Sequence, residues 1–361
     1  MSSSFSEITP LDEHGWDAQW QELFASHAEP GTVPARVLRS ERGLCDVVTS
    51  QGQERAVLQR VHHTSADLSP STGDWISMFP STGTEPGVFG SVLPRRTVLS
   101  RASAGGTSEE QVLASNVDTV IVTVSLAGPL RHTRTERLIA LAWASGAMPV
   151  IALTKADAHP LPESAVIEVS ALAPGVPVIA TSSHTEEGIE ALKSTIQGTV
   201  AVIGPSGAGK SSLGNRILGA ELLATGEVRA VDGKGRHTTA WRELLPIPGG
   251  GVLLDTPGLR SVGVTSSEEG IGEAFADLEE LAGQCRFADC THDGEPDCAV
   301  QDAIRSGVLT ERRLTSYRKL QREAQRLAAR TDARLRAQRV SELKTRAHEQ
   351  RAWSKERARH R

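Results

Sequence analysis

Residues Gly204-Pro205-Ser206-Gly207-Ala208-Gly209-Lys210-Ser211-Ser212 match the phosphate-loop pattern G-x-x-x-x-G-K-S without a mismatch, directly after the apolar run Val200-Ala201-Val202-Ile203. This loop constrains the fold more than any other feature of the chain. It needs a strand feeding it and a helix leaving it, so that backbone N–H groups and the positive end of the helix converge on phosphate oxygens. Gly204 and Gly209 permit the tight path, Lys210 reaches the β- and γ-phosphates, and Ser211 offers a hydroxyl to Mg²⁺. A plain Gly-rich turn is the competing reading, and the flanking strand and helix disfavour it.

A second element of such a site stands 50 residues upstream of Gly204, where Thr154-Lys155-Ala156-Asp157 ends another apolar run. The Asp157 carboxylate can accept the N1–H and N2–H₂ donors of guanine while the Lys155 stem packs on the ring. Adenine has no such donor pair, so the tetrapeptide selects GTP over ATP. The usual first residue is Asn; here it is Thr154. Alone, the tetrapeptide also reads as a strand end entering a helix cap. Ser182-Ser183, after the strand-like Val176 to Ala180, falls where a second base-contacting loop belongs, although Ser pairs are common in turns.

Downstream, Asp255-Thr256-Pro257-Gly258 follows the apolar Gly251-Val252-Leu253-Leu254. An Asp at a strand's carboxyl end can hold Mg²⁺ through water, and the Gly258 N–H can meet the γ-phosphate. Between loop and Asp255 lies the basic segment Gly233-Lys234-Gly235-Arg236-His237-Thr238-Thr239, a solvated loop or a switch segment. Thr239, in preference to Thr238, is the candidate ligand of Mg²⁺ and the γ-phosphate. Leu259 stands where many GTPases carry a water-orienting Gln, which leaves His237 as the candidate water-positioning group and, with Lys210, the catalytic pair. A lone loop His is otherwise simply solvated. Ordinary GTPases place the guanine motif after the phosphate loop; reading both pieces as real implies a circularly permuted GTPase.

Cys285, Cys290, His292 and Cys298 offer four ligands within 14 residues. Thiolates and imidazole are the set Zn²⁺ prefers, and a closed Cys₃His tetrahedron is structural. Three buried cysteines and a surface His form the alternative. Cys45 lies far away and reads as a core residue.

The net charge of -5 is unevenly spread. Residues 311–361 carry 17 Lys/Arg against 6 Asp/Glu, a net of +11, leaving 22 against 38, a net of -16, for residues 1–310. A basic tail on an acidic body points to a polyanion, nucleic acid before others. Arg312, Arg313, Arg318, Lys319, Arg322 and Arg326 recur at helical spacing, as phosphate contacts or as a solvated, ion-paired face. No apolar run approaches the roughly 20 residues of a membrane span, no secretory leader is visible, and the cysteine usage suits a reduced compartment. A cytoplasmic protein with no membrane contact is expected.

The expected organisation has five parts. Residues 1–30 are a polar extension with a short helix around Trp16 to Phe24. Residues 31–100 hold about five short strands, as in a small antiparallel barrel such as an OB-fold or another small β-domain. Residues 101–265, opening on a Gly/Ser-rich connector over 101–113, alternate strand and helix as a mostly parallel α/β sheet. Residues 266–325 are helical and Cys-containing, and 326–361 form a basic helical or disordered tail.

Taken together, the chain resembles the RsgA/YjeQ family of circularly permuted small-ribosomal-subunit GTPases. The resemblance rests on Gly73-Asp74-Trp75, Leu93-Pro94-Arg95-Arg96, Asn116-Val117-Asp118, the guanine tetrapeptide, the phosphate loop, Gly235 to Thr239, Asp255 to Gly258, the four metal ligands and Ser316-Tyr317. It implies an N-terminal OB-fold, a permuted GTPase domain and a C-terminal zinc domain. It further implies late maturation of the small subunit through its 16S-type rRNA, slow intrinsic hydrolysis of GTP to GDP stimulated by that subunit, and a catalytic role for His237. Thr154 and the extension over 326–361 depart from the family pattern. A monomer is expected. The alternatives are a GTP-dependent RNA-binding switch outside ribosome assembly, a general P-loop ATPase, and a zinc-stapled structural protein.

Overall fold

A computed structural model describes residues 9–41, 43–58, 69–82, 85–102, 110–223, 243–255 and 268–325. The chain opens with two helices, α1 (Pro10–Glu13) and α2 (Ala18–His27). Both start at side-chain caps: Thr9 and Asp12 form a reciprocal capping box, and Asp17 accepts the Trp20 N–H at 2.7 Å. This stretch is more than the polar extension expected over 1–30. Leu11, Trp16, Trp20 and Phe24 form one apolar cluster with Trp75 and Leu93, the Trp16 and Trp75 rings meeting at 4.8 Å.

Strands β1 (Val33–Glu41), β2 (Leu44–Thr49), β3 (Gly52–Val57), β4 (Trp75–Phe79) and β5 (Gly87–Val92) close a barrel in the order β1-β2-β3-β5-β4. Neighbours run antiparallel except β3 and β5, which are parallel, so the barrel is OB-like rather than wholly antiparallel. Its interior is set by period-two alternation: Ala35 and Val37, Cys45 and Val47, Ile76 and Met78 all point inward. Burial there pushes the Cys45 thiol up to about 11, which makes it an inert core residue. The expected Gly/Ser connector instead contributes to a two-stranded ribbon, β6 (Val98–Ala102) and β7 (Glu110–Ser115), whose Leu99 and Leu113 are fully buried.

The next elements are β8 (Thr119–Ser125), α3 (His132–Ala144), β9 (Met148–Thr154), α4 (Pro162–Ser170), β10 (Val178–Thr181), α5 (Ile189–Thr195), β11 (Thr199–Ile203), α6 (Lys210–Leu218), β12 (Glu243–Pro246) and β13 (Val252–Asp255). They form a six-stranded sheet in the order β10-β9-β8-β11-β13-β12, parallel but for the edge strand β12. Successive residues feed opposite faces: Val120, Val122, Ile151, Ala201 and Ile203 pack on one, Ile121, Val150, Ala152, Val200 and Val202 on the other. Both faces are covered, which accounts for the near-continuous apolar runs of these strands.

Helices α7 (Glu268–Ala274), α8 (Ala276–Ala282), α9 (Ala299–Arg305) and α10 (311–325) follow. Their apolar residues, including Phe275, Leu278, Val300 and Leu320, join the core on the α3 face of the sheet. Among the described residues no helix is long and apolar enough to cross a membrane.

Candidate functional site

Strands β8 and β11 are parallel neighbours, yet the chain winds outward from them in opposite directions, to β9 and β10 on one side and to β13 on the other. Loops leaving the carboxyl ends of such a pair diverge and open a crevice, the usual place for a ligand in an open α/β sheet. The phosphate loop starts in that crevice, at the end of β11.

Local contacts dictate the loop residues. Gly204 has φ +151°, and a Cβ on it would lie 2.1 Å from the Thr123 hydroxyl oxygen of β8, so only glycine fits. Gly207 and Gly209 follow at φ +77° and +82°. Ser206 and Gly207 are exposed at the bend between Pro205 and the buried Ala208. Lys210 opens α6 and donates from Nζ to the Gly204 and Pro205 carbonyls at 2.9 and 2.7 Å. Ser211 and Ser212 lie half-buried in the first helical turn. The β8–α3 connection flanks the loop, leaving a cavity of about 320 Å³ lined in part by Thr123, Ser125, Arg131, Arg134 and Ser206.

The upstream tetrapeptide arrives at the same place. Thr154 is buried at the end of β9, and its Oγ1 donates to the Ala208 carbonyl at 2.7 Å, tying the base motif to the phosphate loop. Lys155 takes the left-handed conformation, φ +58°, and is exposed. Ala156 is buried, and Asp157 is exposed in the 3₁₀ turn Ala156–Ala158. Ser182, fully buried after β10, donates from Oγ to Asp157 Oδ1 at 2.6 Å while accepting the His184 and Thr185 N–H groups at 3.2 and 3.1 Å. One hydroxyl thereby fixes the direction of the carboxylate. The Ser183 carbonyl accepts from Arg216 Nε of α6 at 2.8 Å, which fastens this second loop to the helix of the first. Thr123 and Arg216 carry no signal in sequence; only the packed structure singles them out.

Asp255 is the last residue of β13. Thr239, His237, Gly258 and Leu259 lie outside the described residues, as do 326–361. Of the first basic residues of the C-terminal stretch, Arg313 is buried, Arg312 and Arg318 are partly exposed, and Lys319 and Arg322 are exposed. Arg313 holds Asp277 through Nε at 2.7 Å and Nη2 at 2.5 Å and reaches Glu136 Oε1 at 3.1 Å, Arg312 also bonds Glu136, and Arg318 donates to the Thr291 carbonyl at 2.8 Å.

Cys285, Cys290, His292 and Cys298 converge, their ligand atoms all within 4.8 Å of one another. The left-handed turns at His292 (φ +61°) and Asp297 (φ +56°) fold the segment back on itself, and Cys298 sits at the head of α9. Cys285 Sγ is 3.8 Å from Cys298 Sγ and 3.6 Å from His292 Nδ1, and Cys298 Sγ is 3.5 Å from that nitrogen. This donor set can hold one metal ion.

Residues 92–265 match the family model described as RsgA GTPase. A protein of Streptomyces coelicolor named small ribosomal subunit biogenesis GTPase RsgA is 49% identical over 96% of this chain and 95% of its own length. Its namesake in Streptomyces avermitilis is 48% identical over 94% of this chain and 92% of its own length. Among solved structures, YjeQ from Thermotoga maritima superposes with a TM-score of 0.61 at 28% identity, covering 81% of this chain and 98% of that one. YloQ, described as a circularly permuted GTPase, gives the same TM-score at 21% identity and shares the fold, over 83% of this chain and 97% of its own. The order of motifs and strands, the barrel in front and the cysteine cluster behind agree with these comparisons: the chain belongs to the RsgA GTPase family.

Proposed function

We propose that this protein is a GTPase of small-ribosomal-subunit biogenesis that hydrolyses GTP to GDP and phosphate and uses the reaction as a release switch. The observation that carries the reading is the Thr154–Ala208 hydrogen bond, with Ser182 aiming Asp157. Two motifs set 50 residues apart in reversed order form one site, and a bare Gly-rich turn has no use for either contact.

In this reading Asp157 accepts from the guanine edge with Lys155 along the ring, and Ser183 lies beside the base. The amides of Gly204 to Ser212 cradle the phosphates, and Lys210 turns from the two loop carbonyls to the β- and γ-oxygens. Mg²⁺ bound with the nucleotide would neutralise phosphate charge, and Ser211, Thr239 and Asp255 are the residues that would hold it. Gly258 reads the γ-phosphate, and His237 orients the attacking water in place of the Gln that Leu259 displaces. Zn²⁺ fits the Cys₃His cluster. A tetrahedral site with Zn–S of about 2.3 Å and Zn–N of about 2.05 Å puts sulfurs about 3.8 Å apart and sulfur about 3.6 Å from nitrogen. The three separations among Cys285, His292 and Cys298, at 3.8, 3.6 and 3.5 Å, lie close to these values, and with Cys290 all four ligand atoms fall within 4.8 Å of one another.

The partner is the small subunit with its 16S-type rRNA, the basic residues of the C-terminal stretch supplying RNA contacts in a cytoplasmic monomer. Steady-state GTP hydrolysis, alone and with small subunits, large subunits or ATP in place of GTP, tests the reading against a Lys210→Ala background. A slow GTP-specific rate that rises many-fold only with small subunits is expected. Equal hydrolysis of ATP would sink the guanine assignment, and no stimulation would point to an RNA partner outside the subunit.

A further inference from the structure

Three sequence motifs that take no part in nucleotide binding meet at one point, between the barrel and the start of β11. Asn116 donates from Nδ2 to the Gly73 carbonyl at 3.1 Å and accepts the Arg96 N–H at 2.9 Å. Arg95 grips Asp74 through Nε and Nη2, both at 2.7 Å. Asp118 accepts the Thr199 N–H at 2.7 Å and returns its own N–H to the Thr199 carbonyl at 2.9 Å. Gly73 has φ +94°, and a Cβ there would lie 2.2 Å from the Ser115 carbonyl oxygen, so the two backbones touch.

At the centre is Arg36 of β1, 1% exposed. Its guanidinium lies 4.9 Å from the centre of the Trp75 ring. It donates from Nη1 to the His14 carbonyl, and from Nη2 to the Asn116 carbonyl at 3.3 Å and the Thr199 hydroxyl at 2.6 Å. These acceptors come from the N-terminal helices, the segment entering β8 and the first residue of β11. Thr199 is five residues before Gly204, about 16 Å along an extended strand. The barrel therefore holds the root of the strand that carries the phosphate loop.

We infer that Arg36 is a positioning residue of the nucleotide site, joining the barrel to β11 so that barrel and phosphate loop open as one cooperative unit. The inference rests on the nucleotide reading above. Its consequence is reciprocal: a ligand that stabilises the loop stabilises the barrel, and a partner gripping the barrel acts on the loop.

Amide hydrogen exchange of the full-length protein, with and without Mg²⁺ and GDP, tests this. Amides that exchange only by opening of a ligand-binding unit slow by the factor 1 + [L]/Kd, about 100-fold at 100 times Kd. Joined units predict comparable slowing in β11 and in barrel strands β1 and β4. In Arg36→Met the slowing of β11 remains and that of the barrel falls several-fold below it. Thr199→Val, which removes only the hydroxyl, moves in the same direction, and Thr199→Ser restores native behaviour. Slowing confined to β11 in the native protein, or full barrel slowing in both Arg36→Met and Thr199→Val, overturns the inference while leaving nucleotide binding intact. No slowing anywhere, β11 included, overturns the nucleotide reading and the inference with it.

Discussion

Two buried arginines cross two junctions of this molecule, and they are held in opposite ways. Arg313 joins the C-terminal helices to α3 with all five of its donors used. Nε and Nη2 take Asp277, Nη1 takes Glu136 and the Leu172 carbonyl, and Nη2 also reaches the Ala274 carbonyl. Arg36 joins the barrel to β11 with three bonds, to two carbonyls and a hydroxyl, and its buried Nε has no hydrogen-bond partner among the described residues. Burial alone drags its guanidinium down to about 10, with Asp118 and Asp74 opposing from a distance. A charge matched by carboxylates makes a permanent fastening. A desolvated charge whose hydrogen-bond partners are all neutral adds little net stability, and what it retains is a specified orientation.

The largest expected effect breaks the comparison at its stronger end. Glu136 is fully buried and shared between Arg312 and Arg313. Arg313→Met leaves Glu136 short of a partner and Asp277 unpaired, and removing one side of a buried ion cluster costs about 3–5 kcal/mol. Urea denaturation followed by circular dichroism should show the midpoint fall accordingly. A loss below about 1 kcal/mol would mean that the cluster is solvated and the contrast with Arg36 unfounded.

The Arg313 cluster also shows where sequence reading stopped. Arg312 and Arg313 look like part of a basic, polyanion-facing helix because spacing reports which residues share a helical face, not what that face meets. Their acids lie 176 and 36 residues away in sequence, at Glu136 and Asp277. The phosphate loop and guanine tetrapeptide were legible because their chemistry is written in local backbone requirements: glycine where φ is positive, Lys and Ser at the head of a helix. The sheet was legible because strands buried on both faces are continuous apolar runs. Helices α1 and α2 were half legible. Trp16, Trp20 and Phe24 recur at helical spacing, yet only the tertiary structure supplies Trp75 as their partner. The ribbon β6–β7 was hidden because Gly and Ser between two short apolar pairs outweighed the pairs themselves.

The next effect concerns the nucleotide site. Thr154 departs from the usual Asn, and its hydroxyl makes a bond across to the phosphate loop. Thr154→Val conserves volume and strands the buried Ala208 carbonyl, a loss of about 1–3 kcal/mol. Part of it should appear as roughly ten-fold weaker GDP binding by calorimetry, since 1.4 kcal/mol is one decade in affinity. Thr154→Asn should bind as the native protein does. Equal affinity of the Val variant would show that the two motifs are held together by packing alone.

At the weaker junction the expectation reverses. Arg36→Met removes a cation that is poorly repaid for its burial, so its cost should stay within about 1 kcal/mol, against 3–5 for Arg313→Met. The two variants belong in one denaturation series. A loss at Arg36 as large as that at Arg313 would erase the distinction between the two fastenings.

The smallest effect is a pH dependence at the same junction. His14 donates from Nδ1 to the Pro10 carbonyl at 2.7 Å, and its Nε2 is buried without a hydrogen-bond partner among the described residues. Burial, chiefly, with Arg36 adding its charge, holds the imidazole below its usual 6.5, against the Pro10 bond and Glu13. A base with a depressed folded pKa binds its proton more readily when unfolded. Stability is therefore fully present above pH 6.5 and is lost as the pH falls below that value towards the folded pKa. Melting temperatures between pH 7.5 and 5.5 should drop in the native protein and drop less in His14→Gln. They should also drop less in Arg36→Met, because removing the neighbouring cation relieves part of the depression. An unchanged slope in both variants would place the acid-sensitive group away from the barrel junction.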